Sequence, residues 1–188
     1  MRGVAVGVST VLRDDPLLTC RDQLLLSKPP ARVIFDSLLR TPVESRVAID
    51  RSAPTWILTL ATAPIDRRKA LAKVGVQVID VAPEAGSPAS APRLSLAAAM
   101  ETLHSLGIRR LLVESGSELV GRCAARLVDQ LLVFVAPKIA GAPAAPAAPA
   151  GAPEAPAMAL AAALEEIHVE RVGDDVLIGG FLGLEEGA

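Results

Sequence analysis

Hydrophobic positions along this chain gather into short runs separated by polar turns. Val4–Val8, Val33–Phe35, Val47–Ile49, Trp56–Leu60, Val76–Ile79 and Leu111–Val113 each read as a strand. Several are continuously apolar, the pattern of strands covered on both faces by helices. Helical spacing fills the gaps between them. Residues 65 to 75 place Ile65, Ala70, Leu71 and Val74 near one side and end on Gly75, and residues 94 to 107 repeat Leu96, Met100, Leu103 and Leu106 before Gly107; glycine stops a helix where the backbone must turn left-handed. Strand and helix in alternation predict an α/β sandwich on a mostly parallel sheet. The tail departs from that order. Residues 131–137, 167–172 and 176–182 are strands in succession, the last two joined by Gly173, Asp174 and Asp175 as in a hairpin, so an antiparallel C-terminal edge is expected. Residues 141–157 are almost all proline, alanine and glycine, the composition of an extended, mobile loop.

A length of 188 residues suits one domain spanning the chain. Nineteen basic against 21 acidic residues give a net charge of -2, which offers no basic field for nucleic acid. No run of about 18 apolar residues marks a membrane span, and Asp14 and Asp15 fall too early for a signal peptide, so a cytoplasmic protein is expected. Cys20 and Cys123 are far apart and belong to no metal-binding pattern. His104 and His168 have no ligand-type partner at usable spacing, and no metal is expected.

Two stretches could carry chemistry. In the first, Leu111–Glu114 is followed by Ser115, Gly116 and Ser117 and then by a helical pattern from Glu118 to Leu127. A serine and glycine turn before a helix presents backbone N–H groups that hold phosphate anions, although Ser117 also reads as a simple N-cap. Glu114 stands at the carboxyl end of a strand, where α/β sheets place ligands. In the second stretch, VAVGVSTVLRDDPLLTCR, Asp14 and Asp15 precede Pro16 as in an Asx turn, and Arg21 reads as either a surface charge or an anion contact.

Their order along the chain is distinctive. VGVSTVLRDDPLLTCR, ARVIFDSLLRTPVESRV, PTWILT, GVQVI, GIRRLLVESGSELVG and LVDQLLVFVAPKIAG together resemble the reductase domain of bacterial riboflavin biosynthesis, the C-terminal half of the bifunctional deaminase-reductase. The resemblance covers residues 3 to 141, and GDDVLIGGFL fits the closing strand. It implies a dihydrofolate reductase-like three-layer α/β fold and NADPH-dependent reduction of the ribosyl group of 5-amino-6-(5-phosphoribosylamino)uracil to ribityl, with no membrane or nucleic-acid partner. By motif, Thr10, Asp14 and Ser37 match cofactor positions, as do Gly116, Ser117, Glu118, Leu119, Val120, Gly121 and Arg122 in the phosphate loop. Leu18, Arg21 and Glu114 match substrate positions. A homodimer is implied as well.

Three departures stand against the family pattern. Ser115 replaces a glycine, Gln130 follows Asp129 where glutamate is usual, and the family's first strand with its Ser-Leu-Asp-Gly turn has no counterpart. The chain is therefore expected to be N-terminally truncated relative to the family. No H-x-E with P-C-x-x-C is present, so deaminase chemistry is not expected. A non-catalytic remnant of the fold, and a sister reductase acting on another heterocycle, are the two other readings that these residues fit.

Overall fold

A computed structural model describes residues 1–20, 28–114, 119, 127–138 and 163–182. The predicted helix from Glu118 to Leu127, apart from Leu119 and Leu127, and the proline- and alanine-rich segment lie outside these residues. Strand β1 (Arg2–Gly7) has parallel neighbours on both sides, β2 (Ala31–Phe35) and β5 (Arg110–Val113). Beyond β2 lie β3 (Thr55–Thr59) and β4 (Gln77–Asp80), so the sheet order is β4-β3-β2-β1-β5. Among the described residues, four helices connect these strands: α1 (Val8–Asp14), α2 (Arg46–Ile49), α3 (Ile65–Lys73) and α4 (Leu96–Ser105).

Every residue of β2 and β3 is buried, which the unbroken apolar runs require of strands covered on both faces. The parallel register sets Val6 beside Ile34, Ile34 beside Ile57 and Ile57 beside Val78. That row packs with Val8 and Val11 of α1, Val47 and Ala48 of α2 and Leu71 of α3 in one core cluster. On the other face Ala5, Val33, Phe35, Trp56 and Leu58 are buried too, and α4 buries Leu96, Ala99 and Leu103. Ser95 caps α4 by accepting the Ala98 N–H at 3.2 Å, and Gly75 and Gly107 take φ of +82° and +91° just past α3 and α4, as their places in the pattern predict.

Two expectations change. The first strand ends at Gly7, and Val8–Asp14 is a helix in place of a polar turn. Val8 and Val11 sit three apart and both enter the core cluster, so the apolar period passes from strand to helix at Gly7. Val47–Ile49, expected as a strand, lies in α2. Its helical turn is closed when the Ser45 carbonyl accepts from Ala48 and Ile49, and Asp15 Oδ1 takes the Arg46 N–H at 2.8 Å. A carboxylate on a free amide at a helix start favours the helix electrostatically and by hydrogen bonding.

Residues 1–122 and 123–188 form two compact units. In the second, β6 (Gln130–Val135), β7 (Leu164–Val172) and β8 (Asp175–Leu182) make an antiparallel sheet of order β6-β8-β7. Gly173 (φ +64°) opens the tight turn between β7 and β8, as the hairpin signal predicts. A bulge interrupts β7 between Glu165 and His168. The antiparallel strands thus form a sheet of their own, and Phe134, Ile167 and Val169 on it are exposed.

Candidate active site

From β1 the chain steps outward through β2, β3 and β4, then returns to the opposite side of β1 as β5. Such a reversal leaves a crevice at the carboxyl ends of the strands, where open α/β sheets bind ligands. A cavity of about 300 Å³ lies at the carboxyl ends of β1 and β2. Its walls are Gly7–Thr10, Phe35–Leu38 with Arg40, Ala91–Leu94 with Leu96, and Leu119.

The wall contributed by β2 is a braced turn. Asp36 is fully buried, and its Oδ2 accepts both the Thr41 N–H and the Thr41 hydroxyl at 2.7 Å. Among the described residues its Oδ1 has no hydrogen-bond partner. Leu39, buried at φ +56°, donates its N–H to the Asp36 carbonyl at 3.1 Å. Arg67 closes the turn from outside, donating to the carbonyls of Leu39 and Thr41. Ser37 is fixed through its carbonyl, which accepts from Leu60 N–H and Thr59 Oγ1 at 3.2 Å each, and its hydroxyl oxygen accepts the Leu94 N–H at 3.0 Å. That last bond joins the 91–94 loop to the end of β2.

The cavity brings together Thr10, Ser37 and Leu119 from the residues singled out in the sequence. Glu114 follows β5 on the other side of the switch; it is exposed, and its N–H bonds to the Ala5 carbonyl at 2.8 Å. Asp14 lies away from the cavity wall at the end of α1, exposed and paired with Arg13 at 2.9 Å; the hydrogen bond from Arg13 holds its carboxyl below the usual carboxylate range. Asp15, its neighbour, is the residue that α2 uses. Leu18 takes φ +52° and packs against the core cluster. Arg21, Gly116, Ser117, Glu118, Val120, Gly121 and Arg122 lie outside the described residues. Sequence reasoning did not single out Ser9, Asp36, Arg40 or Arg93 for this wall; Asp36 and Arg40 flank Ser37 within FDSLLRTP. Among the described residues there is no group of three side chains that could hold a metal ion, and no helix is long and apolar enough to cross a membrane.

A family model described as the RibD C-terminal domain matches residues 2–178. The chain belongs to the RibD C-terminal domain family. Among its curated relatives, the 2,5-diamino-6-ribosylamino-4(3H)-pyrimidinone 5′-phosphate reductase of Methanothermobacter thermautotrophicus is 39% identical over 140 residues, covering 73% of this chain and 60% of the relative. The riboflavin biosynthesis protein RibD of Bacillus amyloliquefaciens is 32% identical over 144 residues, covering 76% of this chain and 36% of the relative. This chain therefore spans only part of the length of the curated relatives it matches. Among solved structures, Acinetobacter baumannii RibD superposes with a TM-score of 0.71 at 22% identity, over 97% of this chain and 47% of that one. The RibD C-terminal domain seen here has the expected fold class, α/β and dihydrofolate reductase-like, with a parallel sheet and a smaller antiparallel one.

Proposed function

We propose that this chain is an NADPH-dependent reductase that converts the ribosyl group of a phosphoribosylaminopyrimidine into ribityl. The observation that carries this reading is the cavity at the ends of β1 and β2, which gathers Thr10, Ser37 and Leu119 in a chain of the RibD C-terminal domain family. The 39% identical relative, a 2,5-diamino-6-ribosylamino-4(3H)-pyrimidinone 5′-phosphate reductase, supports the substrate class. The residues present suit one end of a phosphorylated dinucleotide: Ser9, Thr10 and Ser37 supply hydroxyls, and Arg40 and Arg93 supply positive charge. NADPH, when bound, supplies the hydride. The work left to the protein is to bind and orient two phosphorylated molecules, and no nucleophile or metal is demanded of it. By the family motif, Thr10, Asp14, Ser37 and residues 116–122 are assigned to the cofactor, and Leu18, Arg21 and Glu114 to the substrate. Glu114, exposed beside the switch point, is the described residue of that second set best placed to meet a ligand there.

The test is direct. Purified chain is titrated with NADPH and then supplied with 5-amino-6-(5-phosphoribosylamino)uracil or with its 2,5-diaminopyrimidinone counterpart, and the ribityl product is followed by mass spectrometry. Binding of NADPH with turnover of either heterocycle is the expected result, and the preferred ring decides between the two reductase readings. Absence of NADPH binding overturns the proposal; binding without turnover of either substrate supports the non-catalytic remnant instead.

A homodimer is part of the same proposal. Val133, Ile178 and Val169 form one cross-strand row of the β6-β8-β7 sheet, with Val135, Val176 and, at its β7 end, Arg171 in the next row on that face. Of the five apolar residues, all except Ile178 are exposed, an apolar patch beside a charged rim residue of the kind that subunits cover.

A further inference from the structure

The turn that walls the cavity after β2 is bent into a strained shape. Leu39, fully buried, takes φ +56°, a left-handed conformation that leucine avoids and that persists only where the surroundings over-determine it. Two holds act from inside the turn: the Asp36 carbonyl accepts the Leu39 N–H, and Asp36 Oδ2 accepts from Thr41. A third comes from α3. Arg67, half-buried, donates from Nε to the Leu39 carbonyl and from Nη2 to the Thr41 carbonyl at 2.6 Å. Among the described residues its guanidinium hydrogen-bonds to nothing else, and Arg67 itself is no part of the cavity wall.

Arg68, the next residue on α3, makes contacts of the same kind elsewhere, donating to the carbonyls of Leu60 and Ala63 and to the Asp80 carboxylate. Those bonds tie a helix to neighbouring loops. Arg67 differs in what it ties: it steadies the strained residue itself, and its two carbonyls lie on either side of Arg40. Ser37, Leu38 and Arg40 of the same turn line the cavity. Strained backbone collects at ligand clamps, where a fixed geometry waits for the ligand instead of forming around it. We propose that Arg67 is a positioning residue: from outside the cavity it holds the 36–41 turn in the shape that receives the ligand. The planar guanidinium fork can bridge two carbonyls at once, whereas a lysine offers a compact point charge. This inference rests on the reading of the cavity as the cofactor's site, and it reaches a residue that the cavity wall does not contain.

Arg67→Ala and Arg68→Ala in the full chain, compared by urea unfolding, NADPH titration and steady-state kinetics, separate positioning from plain stability. Both variants lose guanidinium–carbonyl bonds of α3 and should lose stability to a similar degree. Arg67→Ala alone should weaken NADPH, raising its Kd and KM by roughly three- to thirtyfold, while kcat at saturating NADPH stays within about twofold. Arg67→Lys should recover part of the loss. In hydrogen exchange, the Leu39 and Thr41 amides should exchange faster in Arg67→Ala and stay near wild type in Arg68→Ala. Unchanged NADPH affinity in folded Arg67→Ala, or equal weakening in both alanine variants, would show that Arg67 serves only the fold and overturns the assignment. Should Arg67→Ala not fold, Arg67→Lys takes its place, and a faster-exchanging turn with wild-type NADPH affinity overturns the assignment. Wild-type chain that binds no NADPH overturns the cofactor reading itself, and the Arg67 assignment with it.

Discussion

Arg32 carries a charge into a strand whose other residues are all apolar. It is fully buried, and its guanidinium donates to Asp50 Oδ1 at 2.7 Å, to the carbonyls of Asp50 and Ala53 at 2.6 Å and to that of Leu17 at 3.3 Å. A buried cation persists only where acceptors replace its water, and this one binds the 50–53 loop to β2. The Ser52 hydroxyl and then Arg32 hold the Asp50 carboxyl below the usual carboxylate range. A depressed carboxyl contributes stability above its unfolded pKa and loses it as pH falls through the folded value. Asp50→Asn should therefore lower stability near neutral pH by about 1–3 kcal/mol, and its deficit against the wild type should shrink below roughly pH 4. Urea unfolding at several pH values checks this; a deficit that stays constant into acid would contradict it.

At the scale of elements, the row Val6–Ile34–Ile57–Val78 is what three helices close over. Ile57→Ala removes a fully buried side chain from its centre and should cost about 2–5 kcal/mol. Ile49→Ala, on the exposed side of α2, should cost well under about 1 kcal/mol. Chemical denaturation of the two variants compares them, and similar losses would mean that the row is not the core. The strands of this layer were legible because strands buried on both faces carry continuous apolar runs, Val33–Phe35 in β2 and Trp56–Leu58 in β3. Val47–Ile49 was not legible for the same reason: a short β-branched run looks like a strand until Asp15, far away in sequence, reaches its first amide. The cavity was half legible. Thr10 and Ser37 came from motif, but Asp36 and Arg40 acquire meaning only when the 36–41 turn closes on Thr41 and the 91–94 loop docks on Ser37, and neither contact leaves a local periodic signal.

For the whole molecule, the proposed dimer rests on the exposed apolar positions of the β6-β8-β7 sheet. A charge at the β6 end of its apolar row should keep the chain monomeric, so Val133→Lys is expected to reduce the dimer fraction severalfold in light scattering during size-exclusion chromatography; an unchanged dimer would place the interface on another surface. The first unit holds together in a different way. Asp15 ends α1 in a left-handed conformation with its N–H on the Val11 carbonyl at 3.1 Å, while its carboxylate holds the start of α2, 31 residues on. Fraying at either helix end thus releases the other, and local unfolding here becomes one cooperative event. Because α1 carries Ser9 and Thr10, the hydroxyl wall of the cavity keeps or loses its order together with a helix that is not part of the cavity wall.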